Sequence, residues 1–364
     1  MPKVSVNISV YNMDKYVEYA LLSVLRQTFQ DWECIIVNDG STDDTEKIVK
    51  EYVKRDPRCK YVYQDNRGLA EARNAAIKSS TGEYIAFLDA DDLWEPDMLE
   101  KTISYLDANP DVSIVSGGWD LIDEQGERIF RKRVARSSVS LEKLLLVNRF
   151  PVHAVLVRRE VFQVCGPFDP DAVNDWDMWL RAASNGFTFG YIEDLIAHYR
   201  RHAGCVTVDI DLMRRRHLYV LDKVFRGEND PKMVELRPYA YILCWLSLAD
   251  YCKEAKRYVE LGQCIEEAEK IYSEVGYSRK YSTLIEARVE SLPHNEAFLE
   301  RIYLSLPRIW RWEAYTRRFQ KRAIAGYYGK DYVTLVCNLL PAIILWPPRG
   351  LWYIKRLGLR RVWD

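Results

Sequence analysis

Residues 84–92 read Tyr-Ile-Ala-Phe-Leu-Asp-Ala-Asp-Asp, an apolar run that ends in three carboxylates within four positions. The run is long enough for a buried strand, and Gly82 marks the turn into it. Ligands of open parallel sheets bind beyond the carboxyl ends of the strands, so we expect these acids at a binding crevice. Crowded carboxylates repel one another unless a cation lies among them, and their oxygens suit Mg²⁺ or Mn²⁺. Alternatively, Asp92 caps the next helix, and Asp89 and Asp91 are merely solvated.

The residues before this stretch alternate between strand-like and helix-like patterns. Apolar runs predict strands near 4–10, 33–37, 60–63 and 84–88, and the segments between them have helical spacing. Such alternation is typical of a parallel, doubly wound α/β sheet. Parallel strands gather their carboxyl ends at one edge of the sheet. The polar side chains at those ends are Tyr11, Asn12, Asp39, Asp89 and Asp91.

Two common phosphate-binding motifs do not occur in the sequence. It contains neither G-x-G-x-x-G nor G-x-x-x-x-G-K-[ST], which excludes the dinucleotide-binding and P-loop classes. Phosphate charge would therefore have to be met by a metal ion at the acids. Asp39 can accept hydrogen bonds from a base or ribose, or else it forms an Asx turn. Arg73 could reach a phosphate, or else it forms an exposed salt bridge with Glu71 or Asp65.

Four motifs, taken in order, resemble those of glycosyltransferase family 2. They are Val-Tyr-Asn at 10–12, Val-Asn-Asp-Gly-Ser-Thr-Asp at 37–43, Asn-x-Gly-Leu-Ala-x-Ala-Arg-Asn at 66–74 and the segment 82–92. The resemblance implies the GT-A fold, a Rossmann-like, mostly parallel sheet flanked by helices. It also implies an inverting transferase that uses a nucleoside-diphosphate sugar and a divalent ion, Mn²⁺ or Mg²⁺.

The resemblance also assigns roles to residues at matching positions. It implies that Asp39 contacts the base, commonly uracil, and that Tyr11, Asn12 and Arg73 lie near the nucleotide. Asp89 would contact the nucleotide sugar as well as the metal.

The metal–diphosphate motif would consist of Asp89 and Asp91. The family's Tyr-Arg-x-His pattern matches residues 199–202, so His202 would complete the metal or diphosphate site. A lone histidine is more often structural, and that alternative stays open.

A second acidic motif, Asn-Asp-Trp-Asp at 174–177, precedes an apolar run and Arg181. Inverting transfer is a single displacement, so the acceptor hydroxyl needs a base on the face opposite the leaving diphosphate. The family pattern implies that Asp175 is this base, with Asn174 where Glu is usual, and Asp177 is the second candidate. The alternative is that Asn174 or Asp175 is only a helix N-cap.

Composition indicates a folded protein in a reducing compartment. Of the 364 residues, 48% are hydrophobic and 29% charged, as in globular proteins of two or three units. The eight cysteines form no C-x-x-C pair and show no ligand-like spacing to histidine, which argues against disulfides and structural zinc. A strand begins at Val4, which leaves no room for a signal peptide, and no apolar run reaches transmembrane length. We therefore predict a cytoplasmic location.

Charge is distributed unevenly along the chain. Residues 301–364 carry 13 Lys and Arg against 3 Asp and Glu, a net of +10 inside a chain whose total is −1. We predict a catalytic domain at 1–227, a helical region at 228–300 and a basic, Trp-rich helical tail at 301–364. Tryptophan beside Lys and Arg suits an anionic membrane surface, and ordinary helix packing is the alternative. Because family members often act on lipid-linked acceptors, we do not expect nucleic acid as the partner.

The leading hypothesis is an inverting transferase that moves a sugar from a UDP-sugar to a hydroxyl of a glycan or lipid-linked acceptor, as in polysaccharide or surface glycan synthesis. A nucleotidyltransferase would need a Gly-rich loop with Lys after the first strand, and residues 11–14 (Tyr-Asn-Met-Asp) are not that. The remaining alternative is a catalytically silent binding or scaffold protein that acts through its helical C-terminal region.

Overall fold

The computed structural model describes residues 1–132, 139–148, 150–202, 204–205, 209–275, 281 and 285. The strands are β1 (Val4–Val10), β2 (Trp32–Asp39), β3 (Cys59–Gln64), β4 (Tyr84–Asp89), β5 (Leu93–Trp94), β6 (Ile114–Ile122), β7 (Arg128–Lys132), β8 (Val155–Arg158) and β9 (Phe189–Arg200). The helices are α1 (Val17–Leu25), α2 (Thr45–Arg55), α3 (Leu69–Ser79), α4 (Met98–Ala108), α5 (Leu141–Leu146), α6 (Arg159–Cys165), α7 (Asn174–Ser184), α8 (Ile210–Phe225), α9 (Pro231–Glu254) and α10 (Tyr258–Val275).

The strands form one sheet in the order β3-β2-β1-β4-β8-β6-β9-β5, and β7 pairs with β6. The first four strands in this order run parallel, and β6 runs parallel to β9. The predicted mostly parallel sheet flanked by helices is therefore confirmed. The sheet is not purely parallel, because β8 runs antiparallel to both of its neighbours.

A short 3-10 helix precedes the antiparallel strand β8. Residues 152–157 are divided between this helix, Val152–Ala154, and β8. Pro151 precedes this turn with φ −65°, and the Pro151 carbonyl accepts the Ala154 N–H at 3.0 Å. The strand proper, β8, begins only after that turn has placed His153 in the interior.

Helices cover both faces of the parallel half of the sheet. Valines and isoleucines of β1 pack with apolar side chains of α1, α2 and α4 on one face. On the other face, Ile35 and Val37 of β2 pack with Ala72 and Ala76 of α3. Because both faces are covered, every residue of β2 is buried. The sheet therefore supplies a rigid base for the loops at its edge.

A buried acid fixes the turn that leads into β4. Glu33 accepts hydrogen bonds from Ser5 Oγ (2.6 Å), from Thr81 Oγ1 (2.8 Å) and from Lys60 Nζ (2.6 Å). Burial by itself would raise the pKa of Glu33, but these hydrogen bonds outweigh it and lower the pKa to about 2. The β4 strand is thus anchored at its start as well as by its neighbours.

The chain divides into two compact units, Met1–Cys244 and Trp245–Asp364, and the division falls within α9. The predicted catalytic domain, 1–227, lies within the first unit. From Ile210 to Val275 the regular structure is helical, including the part of the predicted helical region that the structure describes. The predicted tail, 301–364, lies outside the described residues. Among the helices that the structure describes, none is long and apolar enough to span a membrane.

Candidate active site

The carboxyl ends of three parallel strands place the predicted site residues at one edge of the sheet. In the pairing of β1 with its neighbours, Val10 lies beside Asn38 and Ser9 lies beside Asp89. Tyr11 and Asn12 follow β1 directly, Asp39 ends β2, and Asp89 ends β4. The structure therefore brings the predicted nucleotide residues of these strands to a common edge.

Asp39 is held by the chain that enters α3. Its side chain is buried and accepts hydrogen bonds from Gln64 Nε2 (2.6 Å), Arg67 N (2.9 Å) and Gly68 N (2.9 Å). The alternative of an Asx turn by Asp39 is wrong, because Asn38 closes that turn by accepting the Ser41 N–H at 2.9 Å. A carboxylate has about four lone-pair sites, so one acceptor position of Asp39 remains after these three bonds.

The loop after β1 is tied to the loop after β2. Asn12, in a left-handed conformation with φ 51°, accepts the Thr42 N–H at 2.8 Å and donates its own N–H to Ser41 Oγ at 3.0 Å. The Met13 N–H is donated to Thr45 Oγ1 at 2.8 Å. Tyr11 at the tip of this loop is 45% exposed. The sequence did not predict these contacts of Ser41, Thr42 and Thr45. The only indication of them is that several hydroxyl residues follow closely after Asp39.

Arg73 lies beside the acidic motif. Its side chain is buried, and Nη2 donates to Asp89 Oδ1 at 2.6 Å. An exposed salt bridge with Glu71 or Asp65 was the alternative, and it is wrong. A buried guanidinium at the end of β4 offsets part of the carboxylate repulsion that the sequence predicted.

Asp91 pairs with the histidine that the family pattern selected. His202 Nε2 lies 2.9 Å from Asp91 Oδ2, and the His202 ring packs 4.7 Å from the ring of Tyr16. The Gly204 N–H donates to Nδ1 of His202 at 3.1 Å. This bond favours the tautomer whose proton is on Nε2 and points toward Asp91.

Asp92 stabilises the acidic loop from within. Its Oδ1 accepts the Arg200 N–H at 2.8 Å, and its Oδ2 lies 2.9 Å from His153 Nδ1. Burial raises the pKa of Asp92 to about 7. The Arg200 guanidinium donates to the Asp91 carbonyl at 2.9 Å, so β9 holds the loop at two points. The capping alternative is wrong, since α4 begins at Met98 after an Asp97 N-cap.

Two groups of potential metal ligands occur among the described residues, and the ligand atoms within each group lie within 4.8 Å of one another. One group consists of Asp91, His202 and Cys205, and the other of Asp89, Asp92 and His153. The predicted set of Asp89, Asp91 and His202 is thus divided between the two groups. Carboxylate and imidazole ligands suit Mn²⁺, so the residues present fit a divalent cation.

Three members of these groups lie outside the predicted set: Asp92, described above, Cys205 and His153. Cys205 lies three residues after His202, so the prediction that no cysteine has a ligand-like spacing to histidine is wrong for this pair. Burial raises the pKa of the Cys205 thiol to about 11, so the thiol keeps its proton in this environment. His153 comes from the 3-10 helix before β8, and no local pattern indicates its contact with Asp92.

Asp175 lies in the first turn of α7. The N-cap of this helix is Val173, with no capping side chain, so the alternative of an Asn174 or Asp175 cap is wrong. Burial raises the pKa of Asp175, and the charge of Arg73 opposes this rise. Arg73 therefore acts electrostatically on Asp175 while it is hydrogen-bonded to Asp89.

The second candidate for the base is occupied by other contacts. Asp177 is buried and forms ion pairs with Arg181 (2.8 Å) and Lys223 (2.9 Å). The contact with Lys223 joins α7 to α8. A carboxylate neutralised in this way is a poor proton acceptor, so the geometry favours Asp175 over Asp177.

Comparison with known proteins places the chain in a family. Residues 5–166 match the family model described as Glycosyl transferase family 2. TuaG of Bacillus subtilis, a glycosyltransferase named for teichuronic acid biosynthesis, is 34% identical over 200 residues, which are 55% of this chain and 79% of that protein. An uncharacterized glycosyltransferase of Methanocaldococcus jannaschii is 31% identical over 206 residues, 55% of this chain and 71% of that protein.

Solved structures show the same fold at low sequence identity. The mannosyltransferase PcManGT of Pyrobaculum calidifontis, in complex with GDP-Man and Mn²⁺, is 19% identical with a TM-score of 0.55, over 84% of this chain and 85% of that chain. S. aureus TarS 1–349 in complex with UDP-GlcNAc is 15% identical with a TM-score of 0.51, over 94% and 91%. The fold and the sequence matches agree with the site geometry: the chain belongs to glycosyltransferase family 2 and is a glycosyltransferase with the GT-A fold.

Proposed function

We propose that this glycosyltransferase moves a sugar with inversion from a UDP-sugar to a hydroxyl of a glycan or lipid-linked acceptor, as in polysaccharide or surface glycan synthesis. The catalytic domain would extend to about residue 227. The main support is the position of Arg73, which is bonded to Asp89 of the acidic loop and close enough to influence Asp175. Asp89 and Asp175 are both present at the positions where a transferase needs acidic residues. This favours an enzyme over a catalytically silent binding protein.

The choice of uracil rests on Asp39. Its carboxylate has one acceptor position left after three hydrogen bonds from the chain. Uracil presents a single N–H between two carbonyl groups, which matches one vacant acceptor. Guanine presents an N–H and an adjacent amino group, which together would require two. Two relatives of known structure hold UDP-GlcNAc and GDP-Man, so both bases occur among proteins of this fold.

Asp91 and His202 from one group of ligands, and Asp89 from the other, are the residues that would hold Mn²⁺ or Mg²⁺. When bound, such an ion supplies positive charge next to the diphosphate. Arg73 adds a fixed cation at the same end of β4 and keeps Asp89 oriented. Arg200 and Asp92 hold the loop that carries these side chains.

Asp175 would take the proton of the acceptor hydroxyl. As that proton leaves, the hydroxyl oxygen bonds to the anomeric carbon, and the bond from that carbon to the diphosphate oxygen breaks. One displacement of this kind inverts the anomeric centre. The raised pKa of Asp175 brings the carboxylate closer to the operating pH, where a general base is most effective.

The stereochemistry of donor hydrolysis tests this proposal. With MnCl₂ and an α-linked donor such as UDP-GlcNAc or GDP-mannose, water replaces the acceptor, and ¹H NMR identifies the first anomer released before it equilibrates. We expect the β anomer, and faster hydrolysis of the UDP-sugar than of the GDP-sugar. Release of the α anomer would contradict single displacement, and preference for the GDP-sugar would contradict the assignment of uracil.

We also propose that the protein is cytoplasmic and that the tail, 301–364, contacts an anionic membrane surface. Five tryptophans in this segment are interspersed with basic residues, a composition that suits lipid headgroups. We expect co-sedimentation with vesicles that contain anionic lipid, weakening as salt rises, and little with neutral vesicles. Replacing Arg317, Arg318, Lys321 and Arg322 with Gln should reduce it severalfold. Undiminished sedimentation of that variant would contradict the proposal.

A further inference from the structure

The two oxygens of the Asp175 carboxylate have different surroundings. Oδ1 accepts the Trp176 N–H at 2.7 Å and Asn148 Nδ2 at 3.2 Å. Oδ2 receives no hydrogen bond from any residue that the structure describes. A carboxylate whose first oxygen is fixed by two donors has its second oxygen fixed in direction as well. The geometry therefore selects Oδ2 as the oxygen available to a substrate.

Helix α7 also fixes the segment that carries Asn148. Trp176 donates its indole N–H to the Leu144 carbonyl at 2.7 Å, and Trp179 donates its indole N–H to the Phe150 carbonyl at 2.7 Å. Both tryptophans are buried. Asn148 lies between the two anchored carbonyls, so its position is set by the same helix that carries Asp175.

The orientation of the Asn148 amide follows from the carboxylate. Nδ2 faces Asp175, whereas Oδ1 is buried and has no hydrogen-bond partner. Turning the amide around would place its carbonyl against the carboxylate oxygen, which is repulsive. Burying an acceptor without a donor costs free energy of folding. Satisfying both ends of the Asn148 amide therefore does not explain where this side chain lies. Its single described bond is the one to Asp175.

We propose that Asn148 is the positioning residue of the base: it holds Oδ1 of Asp175 and leaves Oδ2 to take the acceptor proton. This inference rests on the proposed function, in which Asp175 is the base. Asn148 acts through Asp175 and takes no part in the bond changes themselves.

The groups around Asp175 determine how its pKa should change when Asn148 is removed. Among the charged groups that the structure describes, Arg73 from α3 and Asp89 at the end of β4 act most strongly on Asp175, with opposite effects. The Trp176 N–H and the Asn148 amide both stabilise the ionised carboxylate and so lower its pKa. Removing Asn148 leaves Arg73, Asp89 and the Trp176 N–H in place, so the pKa of Asp175 should rise.

Asn148→Ala and Asn148→Asp test the role of the donor. Asn148→Asp keeps the size of the side chain but cannot donate when ionised. We expect either variant to lower kcat for hydrolysis of UDP-GlcNAc or GDP-mannose about 10- to 100-fold, with KM for the donor within twofold and the acidic limb of the pH profile displaced upward. Asn185→Ala, on an exposed amide at the far end of α7, is the matched control and should change neither value.

A titration that needs no sugar nucleotide gives a second measurement. The carboxyl ¹³C signal of Asp175, assigned by its loss in Asp175→Asn, should have a higher midpoint in Asn148→Ala than in the wild type. Equal midpoints, or wild-type kcat in both Asn148 variants while Asp175→Asn is inactive, would overturn the positioning role alone. If Asp175→Asn itself turns over like the wild type, the base assignment fails, and this inference fails with it.

Discussion

Asp175→Asn is expected to lower kcat by about 10²- to 10⁴-fold, the usual contribution of a positioned general base. The amide keeps the shape of the side chain and can still accept the Trp176 N–H, but it cannot take a proton. Donor binding should change little, because Asp39, Arg73 and Asp91 are untouched. The measurement is the rate of donor hydrolysis together with the affinity for UDP.

Asp177→Asn is the matched control for this variant. It makes the same substitution two residues away, at a carboxylate that pairs with Arg181 and Lys223. We expect a lower Tm, because Arg181 loses its carboxylate partner and Lys223 keeps only Asp169, and a kcat within severalfold of the wild type. The opposite pattern, with Asp177→Asn inactive and Asp175→Asn active, would transfer the role of base to Asp177.

The pH dependence of kcat for the wild-type protein should reflect the ionisation of Asp175. A base acts only when it is deprotonated, so kcat falls as the pH drops through the pKa of Asp175. Burial raises that pKa above the ordinary range of an aspartate, although the charge of Arg73 opposes the rise. The acidic limb is therefore expected at a higher pH than an ordinary aspartate would give, and it should be absent from the residual activity of Asp175→Asn.

Asp91→Asn is expected to remove most of the gain in nucleotide affinity that Mn²⁺ provides, a loss of at least about tenfold. Residues that only orient a metal ligand typically account for 10- to 100-fold in metal affinity, so a ligand should account for no less. The amide can still accept the Nε2–H of His202, so the local structure should persist. Calorimetric titration of UDP with and without MnCl₂ measures the difference.

Asp91 is a better position than Asp89 for testing metal binding by substitution. Removing the charge of Asp89 would leave the buried Arg73 without its partner, and the resulting loss of stability would obscure any effect on the metal. Asp44→Asn is a suitable control, because Asp44 precedes α2 in the loop after β2 and belongs to neither group of ligands. An Asp91→Asn variant that keeps the full manganese effect would contradict the assignment.

Local patterns were sufficient for the first ninety residues. Strands β1 and β4 and helix α2 follow directly from runs of β-branched and apolar residues or from helical spacing. The order of the four motifs was sufficient to identify the family. These signals lie within a few residues of one another, which is why a sequence reveals them.

Partners that are distant in sequence could not be predicted in this way. The partner of Arg73 is Asp89, sixteen residues away, whereas the alternatives considered were near neighbours. His153 reaches Asp92 only because Pro151 begins a 3-10 turn, and Asn148 reaches Asp175 only because two tryptophans anchor its segment. The direction of β8 is likewise a property of the sheet rather than of its own four residues.

The central claim is that the acids at the end of β4 bind a divalent cation together with the nucleotide. Calorimetry of UDP binding to the wild-type protein, with Mn²⁺ present and then with the metal chelated, tests it most directly. We predict that Mn²⁺ tightens UDP binding at least about tenfold, which is about 1.4 kcal/mol. Equal affinity under the two conditions would contradict the claim.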